Sequence, residues 1–167
     1  PALHQGEAFW HSDMLAVRPA FRGGKVGQAL KWAQRADAMK KGVRRITWTF
    51  DPMQAGNAHL NLELLGASAG EYLSNFYGVT SSDLHHGLPT DRLLASWDLD
   101  SPRVAALSRG EKPGPIEAEA TVSIPHAWNE VVRRDPERAR AEQARVEREL
   151  TAAFASGLVI AGFDKAK

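Results

Sequence analysis

Residues 17–30, VRPAFRGGKVGQAL, gather the groups best suited to holding an anion: Arg22, Lys25 and the glycines Gly23, Gly24 and Gly27, directly before a run that reads as helix. A Gly-rich turn after a strand can point several backbone N–H groups inward together. The first turn of the following helix adds more free N–H groups and the positive end of its dipole. A pyrophosphate fits such a cradle, because glycines leave no Cβ in its way, and Arg22 and Lys25 can add charge-assisted hydrogen bonds. The alternative is a tight strand-to-helix corner whose glycines serve sterics alone. Two familiar phosphate loops are excluded. Walker A places Ser or Thr after Gly-Lys, where this chain has Val26, and the dinucleotide fingerprint needs GxGxxG, where the glycines here run GGxxG.

Other residue types carry less chemistry. His85 and His86 with Asp83 and Asp91 fall in one turn-rich loop, and no second cluster completes a metal site. Ser12 has no GxSxG context for a nucleophile. The absence of cysteine removes disulfides, Cys-ligated metals and a Cys nucleophile.

The elements that must position the turn follow from periodicity. Residues 8–18, AFWHSDMLAVR, read as a strand ending at Pro19. From Val26 to Lys41 the residues Val26, Leu30, Ala33, Ala36 and Met39 recur at helical spacing, with Gly42 as the stop. VRRITWTF at 43–50 is β-branched and aromatic and ends at Asp51-Pro52. Strand, turn, helix, strand is a βαβ unit, which implies parallel strands and a right-handed crossover. A second helix fits 54–65 before Gly66, 68–79 reads as extended, 80–91 as a loop and 92–99 as a strand. The prolines and glycines of 101–118 read as a linker or a long surface excursion. ATVSIP at 120–125 and GLVIAGF at 157–163 read as strands, separated by a helix that Asp135-Pro136-Glu137 starts and Gly157 stops. The charged run at 133–149 is the wet face of that helix. The basic pairs Lys40-Lys41 and Arg44-Arg45 flank a turn as a solvated edge.

The chain has 167 residues, of which 43% are hydrophobic and 25% charged, proportions that suit a globular domain with its own core. A formal charge of +1 gives no global pull toward nucleic acid or an anionic membrane, so any anion site is local. No apolar run approaches the ~20 residues needed to cross a bilayer. The first ten residues lack the basic and apolar pattern of a signal peptide. A cytoplasmic protein is the expectation.

Val17, Pro19, Arg22, Gly23 and Gly27 resemble the V-x-P-x-x-R-G-x-G-x-G turn of the GNAT superfamily of acyl-CoA-dependent N-acyltransferases, with Lys25 in place of the middle glycine. ITWTFDPMQAGNAHLNLELLGA at 46–67, NFYG at 75–78, LPTDRLLASW at 88–97 and the tail from VSIP to Gly162-Phe163 resemble one branch of that superfamily. Its members are predicted acetyltransferases, some of which occur with N-succinylamino-acid racemases. The resemblance implies an α/β chain, α+β in arrangement: a truncated GNAT-like mixed sheet with flanking helices at 1–100, a linker at 101–118, and a C-terminal β-α-β extension at 119–167 packed on the same domain. The family domain opens with three strands and two helices before the turn-bearing strand, and this sequence is expected to lack them. The strand at 8–18 is then an open edge, from which a homodimer or a complex with another polypeptide is expected. The runner-up is that the C-terminal segment folds back over that edge.

The activity the resemblance implies is attack of an amine, such as an amino acid, on the thioester of acetyl-CoA or succinyl-CoA, with no metal. The CoA would lie on Leu15, Val17, Arg22, Gly23, Gly24, Lys25, Val26 and Gly27, with Asn57 reaching the pantetheine arm. A backbone N–H among Met14 to Val17 would polarise the carbonyl, and His11 and Asp13 are the nearest candidates for the base. The Tyr that protonates the leaving thiolate in many members is Leu62 here. The alternative function is therefore a catalytically inactive module that binds CoA or serves as a dimeric interaction subunit.

Overall fold

The computed structural model describes residues 2–4, 7–78 and 87–165. They form a mixed sheet with flanking helices. β1 (Ala2–His4), β2 (Glu7–His11), β3 (Arg45–Phe50), β4 (Ser68–Leu73) and β5 (Arg92–Asp98) lie in the order β1-β2-β3-β5-β4. Only β2 and β3 run parallel, joined by the crossover helix α1 (Val26–Lys40); the other neighbours are antiparallel. The βαβ unit read from the sequence is present.

β3 and β5 alternate between two faces, as strands with one covered side must. Ile46, Trp48 and Phe50 stand opposite Trp97, Ala95 and Leu93 in register, and all six are buried. The other face carries Arg45, Thr47, Thr49, Arg92, Leu94 and Ser96, each half-buried. Trp97 anchors the covered face. Its ring lies 5.3 Å from Trp32 of α1 and 5.8 Å from Trp48, and its Nε1–H donates to the Leu65 carbonyl at 2.7 Å.

α1 turns a different side to the sheet from the one its aliphatic spacing indicates. Val26 and Leu30 are 37% and 47% exposed, and Ala33 and Ala36 are exposed too. Lys31 and Ala38 are buried instead, with Trp32 and Met39 packed on the core. The indole of Trp32 covers more area than any small side chain on the opposite side. The stem of Lys31 is itself apolar enough to lie along the sheet.

The strand expected over 8–18 ends at His11. The N–H of Ser12 donates to the Thr47 carbonyl at 2.8 Å as the last rung, after which the chain leaves the sheet toward Pro19. Nor is β2 an open edge, because β1 pairs with it. The C-terminal segment lies at the opposite side of the sheet, where Ile160 bridges Ala69 of β4.

The helix expected over 54–65 forms as α2 (Ala55–Ala58) followed without interruption by a π-helical turn at His59–Leu64. Gly66 closes it at φ +71°. A Cβ there would stand 2.9 Å from Leu107 and 3.3 Å from Val104, so the position demands glycine on two counts. The 101–118 stretch contains α3 (Pro102–Ser108): Ser101 accepts from the Val104 N–H, Pro102 opens the first turn, and Val104 is buried in the core. A short helix, α4 (Trp128–Arg134), precedes α5 (Pro136–Ala155), which Asp135 caps through the Arg138 N–H as its sequence indicates. The two flanking strands of the expected β-α-β do not form. Residues 120–125 are irregular, and the Arg145 side chain takes the Ser123 carbonyl at 2.8 Å. Residues 157–163 contribute only the bridge at Ile160.

Asp91 ties α5 to the sheet. It is 3% exposed and accepts from the Tyr72 hydroxyl and Gln143 Nε2 at 2.7 Å each and from the Asn75 N–H at 2.8 Å. Burial first, then the bond to Asp91, push the Tyr72 pKa up, so its phenol stays a donor. Asp91 thus serves as a structural acceptor. The rest of that loop cluster, Asp83, His85 and His86, lies outside the described residues. Among the described residues no helix is long and apolar enough to cross a membrane.

Candidate functional site: the glycine turn and the fork beside it

The turn between β2 and α1 has a backbone whose φ alternates in sign. Arg22 has φ −70°, Gly23 +81°, Gly24 a negative value and Lys25 +59°, after which Val26 opens the helix. Arg22 is extended (ψ 152°), so the step from left-handed Lys25 into right-handed Val26 is the one change of helical hand, the kind of junction at which successive N–H groups can face one concavity. Among the described residues no N–H group of residues 23–28 makes a hydrogen bond of good geometry; the helix ladder begins with the Ala29 N–H on the Lys25 carbonyl at 3.0 Å. Six backbone donors therefore lie near the positive end of a 15-residue helix without a well-formed partner. Lys25 holds the left-handed conformation that a middle glycine would adopt freely, at a cost of about 1–2 kcal/mol.

The side chains around the turn divide into those that brace it and those that stand free. Arg22 folds back and donates from Nε to the Val17 carbonyl at 3.0 Å, which fixes the stem and leaves the terminal nitrogens outward. Leu15 and Val17 pack beside Gly27, where an added Cβ would meet them at 3.8 and 3.9 Å, an ordinary contact. Gly23 is thus the glycine the backbone needs, and Gly27 is not sterically required. Met14 and Phe21, in the segment between β2 and the turn, are 83% and 60% exposed.

Where β2 leaves β3, a fork opens. Ser12 is the last residue of the N-terminal arm bonded to β3, so Thr49, which points along the same edge as Thr47, has no strand beside it on that side. His11 sits at the mouth, exposed, with Nδ1 3.0 Å from Thr47 Oγ1. Asp13 is exposed in the segment after the strand and makes no hydrogen bond or ion pair among the described residues, so His11 and Asp13 do not form a pair. Asn57 is exposed on α2; its N–H donates to the Gln54 carbonyl at 2.9 Å, and it makes no hydrogen bond to the turn. Leu62 is 2% exposed, a core residue.

Two residues at the fork are not evident from the motif. Lys31 is only 5% exposed. Its ammonium lies 3.7 Å over the Trp48 ring and donates to Ser12 Oγ at 3.1 Å and Gln34 Oε1 at 3.2 Å, with no carboxylate partner among the described residues. Burial lowers its pKa to about 8. Tyr77, exposed on the uncovered side of the sheet, has its hydroxyl 3.2 Å from Thr49 Oγ1 and the Arg92 guanidinium 5.0 Å over its ring. The NFYG segment contained this hydroxyl, but nothing in sequence spacing brings it to β3.

No group of three or more metal-ligating side chains gathers among the described residues. The chain matches no protein-family model, no curated protein and no solved structure.

Proposed function

We propose that the protein binds acyl-CoA at residues 15–27 and transfers its acetyl or succinyl group to a small amine, such as an amino acid. The single observation that carries this reading is the turn at 22–26, left-handed at Gly23 and Lys25, with six N–H groups at the start of α1 that make no hydrogen bond of good geometry. A pyrophosphate suits it in charge and donor count. The outward nitrogens of Arg22 add charge, and Met14 and Phe21 offer apolar surface to the rest of the nucleotide. The pantetheine arm would follow the Met14–Val17 segment into the fork. An N–H of that segment would polarise the thioester carbonyl. His11, at the mouth, would take the amine proton directly or through water. The amine nitrogen then bonds the acyl carbon as the C–S bond breaks, and the thiolate takes a proton. Tyr77 offers a hydroxyl near the fork for that last step in the place of the buried Leu62. An acyl-CoA donor makes the cytoplasm the compartment we assign.

A second reading rests on Leu62. With a core leucine where the family acid is expected, the chain would bind CoA without turning it over and act as a binding or dimeric subunit, its pairing edge at β1. Titration calorimetry with acetyl-CoA and succinyl-CoA, run beside a thiol-release assay on a panel of amino acids, separates the two. Binding weakened about tenfold by Arg22→Ala, with turnover, supports the enzyme. Binding without turnover supports the subunit, and no heat from any acyl-CoA removes both.

A further inference from the structure

A second cleft, of about 360 Å³, lies between the π-helical turn, α3 and the C-terminal segment. That volume is the size of a small-molecule site. Three cations line it, Arg103, Lys112 and Lys165, against one carboxylate, Glu63. The carboxylate is already committed: Oε2 lies 3.4 Å from Arg103 and Oε1 accepts the Phe163 N–H at 2.7 Å. Lys112 and Lys165 make no ion pair among the described residues, so the cleft holds uncompensated positive charge. Leu64, Leu107 and Phe163 form its apolar wall.

The local backbone and its polar atoms point the same way. His59 and Glu63 belong to the π-helical turn, a geometry found often at functional sites. Two buried atoms beside the cleft, His59 Nδ1 and Arg103 Nε, have no hydrogen-bond partner, whereas buried polar atoms are ordinarily satisfied. Burial, with Lys165 adding to it and Glu63 opposing, pushes the His59 pKa down, so the imidazole contributes polarity without a fourth positive charge.

We infer that this cleft binds a small carboxylate with an apolar body, the carboxylate on Lys112 and Lys165, the body against Leu107 and Phe163. The inference shares no residue with the glycine turn and stands whether or not the protein binds CoA.

The test uses 3-phenylpropionate as probe, its neutral amide as control, and nuclear magnetic resonance of the whole chain. Saturable shifts should centre on Leu107 and Phe163, and the amide should bind at least about tenfold more weakly. Replacing both exposed lysines, Lys112→Ala with Lys165→Ala, should weaken the probe about tenfold, at roughly threefold per solvent-facing contact. Equal binding of acid and amide would overturn the inference. So would undiminished binding by the double variant, tighter binding of inorganic phosphate than of the probe, or shifts confined to other residues.

Discussion

Lys31→Met isolates the cost of one buried ammonium. A lysine whose folded pKa falls from 10.5 to about 8 is protonated in both states below pH 8, where the cost of burying its charge is present in full. Between about 8 and 10.5 the unfolded chain binds the extra proton, so stability rises with pH. Above 10.5 both forms are neutral. At about 1.4 kcal/mol per unit the full window is worth about 3 kcal/mol. The Trp48 ring, 3.7 Å from Nζ, favours the charged form by about 1–2 kcal/mol and reduces that figure. After that reduction the native protein should gain about 0.5–1 kcal/mol between pH 7 and pH 9.5 from this group. Methionine fills similar volume without the charge, and its variant should lack the gain. Urea unfolding of both proteins at the two pH values provides the measurement. Subtracting one pH difference from the other cancels every titration the two share. Equal pH dependence in native and variant would refute the claim that the ammonium is desolvated on Trp48.

Three further outcomes follow from particular contacts. Gly66→Ala meets Leu107 and Val104 and forces an L-residue to φ +71°, so it should cost about 2–4 kcal/mol in thermal or urea unfolding; a loss under 0.5 kcal/mol would contradict the packing described. Asp91→Asn sets an amide against two of three buried donors and should cost about 2–3 kcal/mol while making the chain before β5 more susceptible to limited proteolysis. Lys25→Gly relieves the left-handed backbone at the price of a freer unfolded chain, and a net gain of about 0.5–1 kcal/mol is expected; a loss would mean that the Lys25 side chain makes stabilising contacts of its own.

The sequence and the structure agree where one signal dominates. β3 is a run of β-branched and aromatic residues, β5 an apolar run bounded by Asp91 and Asp98, and α5 carries its own cap in Asp135-Pro136; each forms within about two residues of its expected bounds. Readings failed where two signals compete. Pro102 in a Pro- and Gly-rich stretch reads as a breaker, yet behind the Ser101 cap a proline starts a helix, and α3 results. On α1 the aliphatic positions Val26, Leu30 and Ala33 outnumber the others, but Trp32 and the stem of Lys31 bring more contact area to Trp48 and Trp97. The glycine turn is legible as a turn because its conformation is local: Gly23 and Lys25 both take positive φ there. The fork was not, since it depends on where β2 stops pairing with β3. Lys31 and Tyr77 reach it only through tertiary packing.

The most direct test of the account is to titrate CoA into ¹⁵N-labelled protein and follow the backbone amides. Saturable shifts should centre on residues 23–28, with Leu15 and Val17 following. They should be largely lost when pantetheine, which lacks the pyrophosphate, replaces CoA. Shifts absent from 23–28 at millimolar CoA, or equally large with pantetheine, would contradict the claim that this turn is a pyrophosphate cradle.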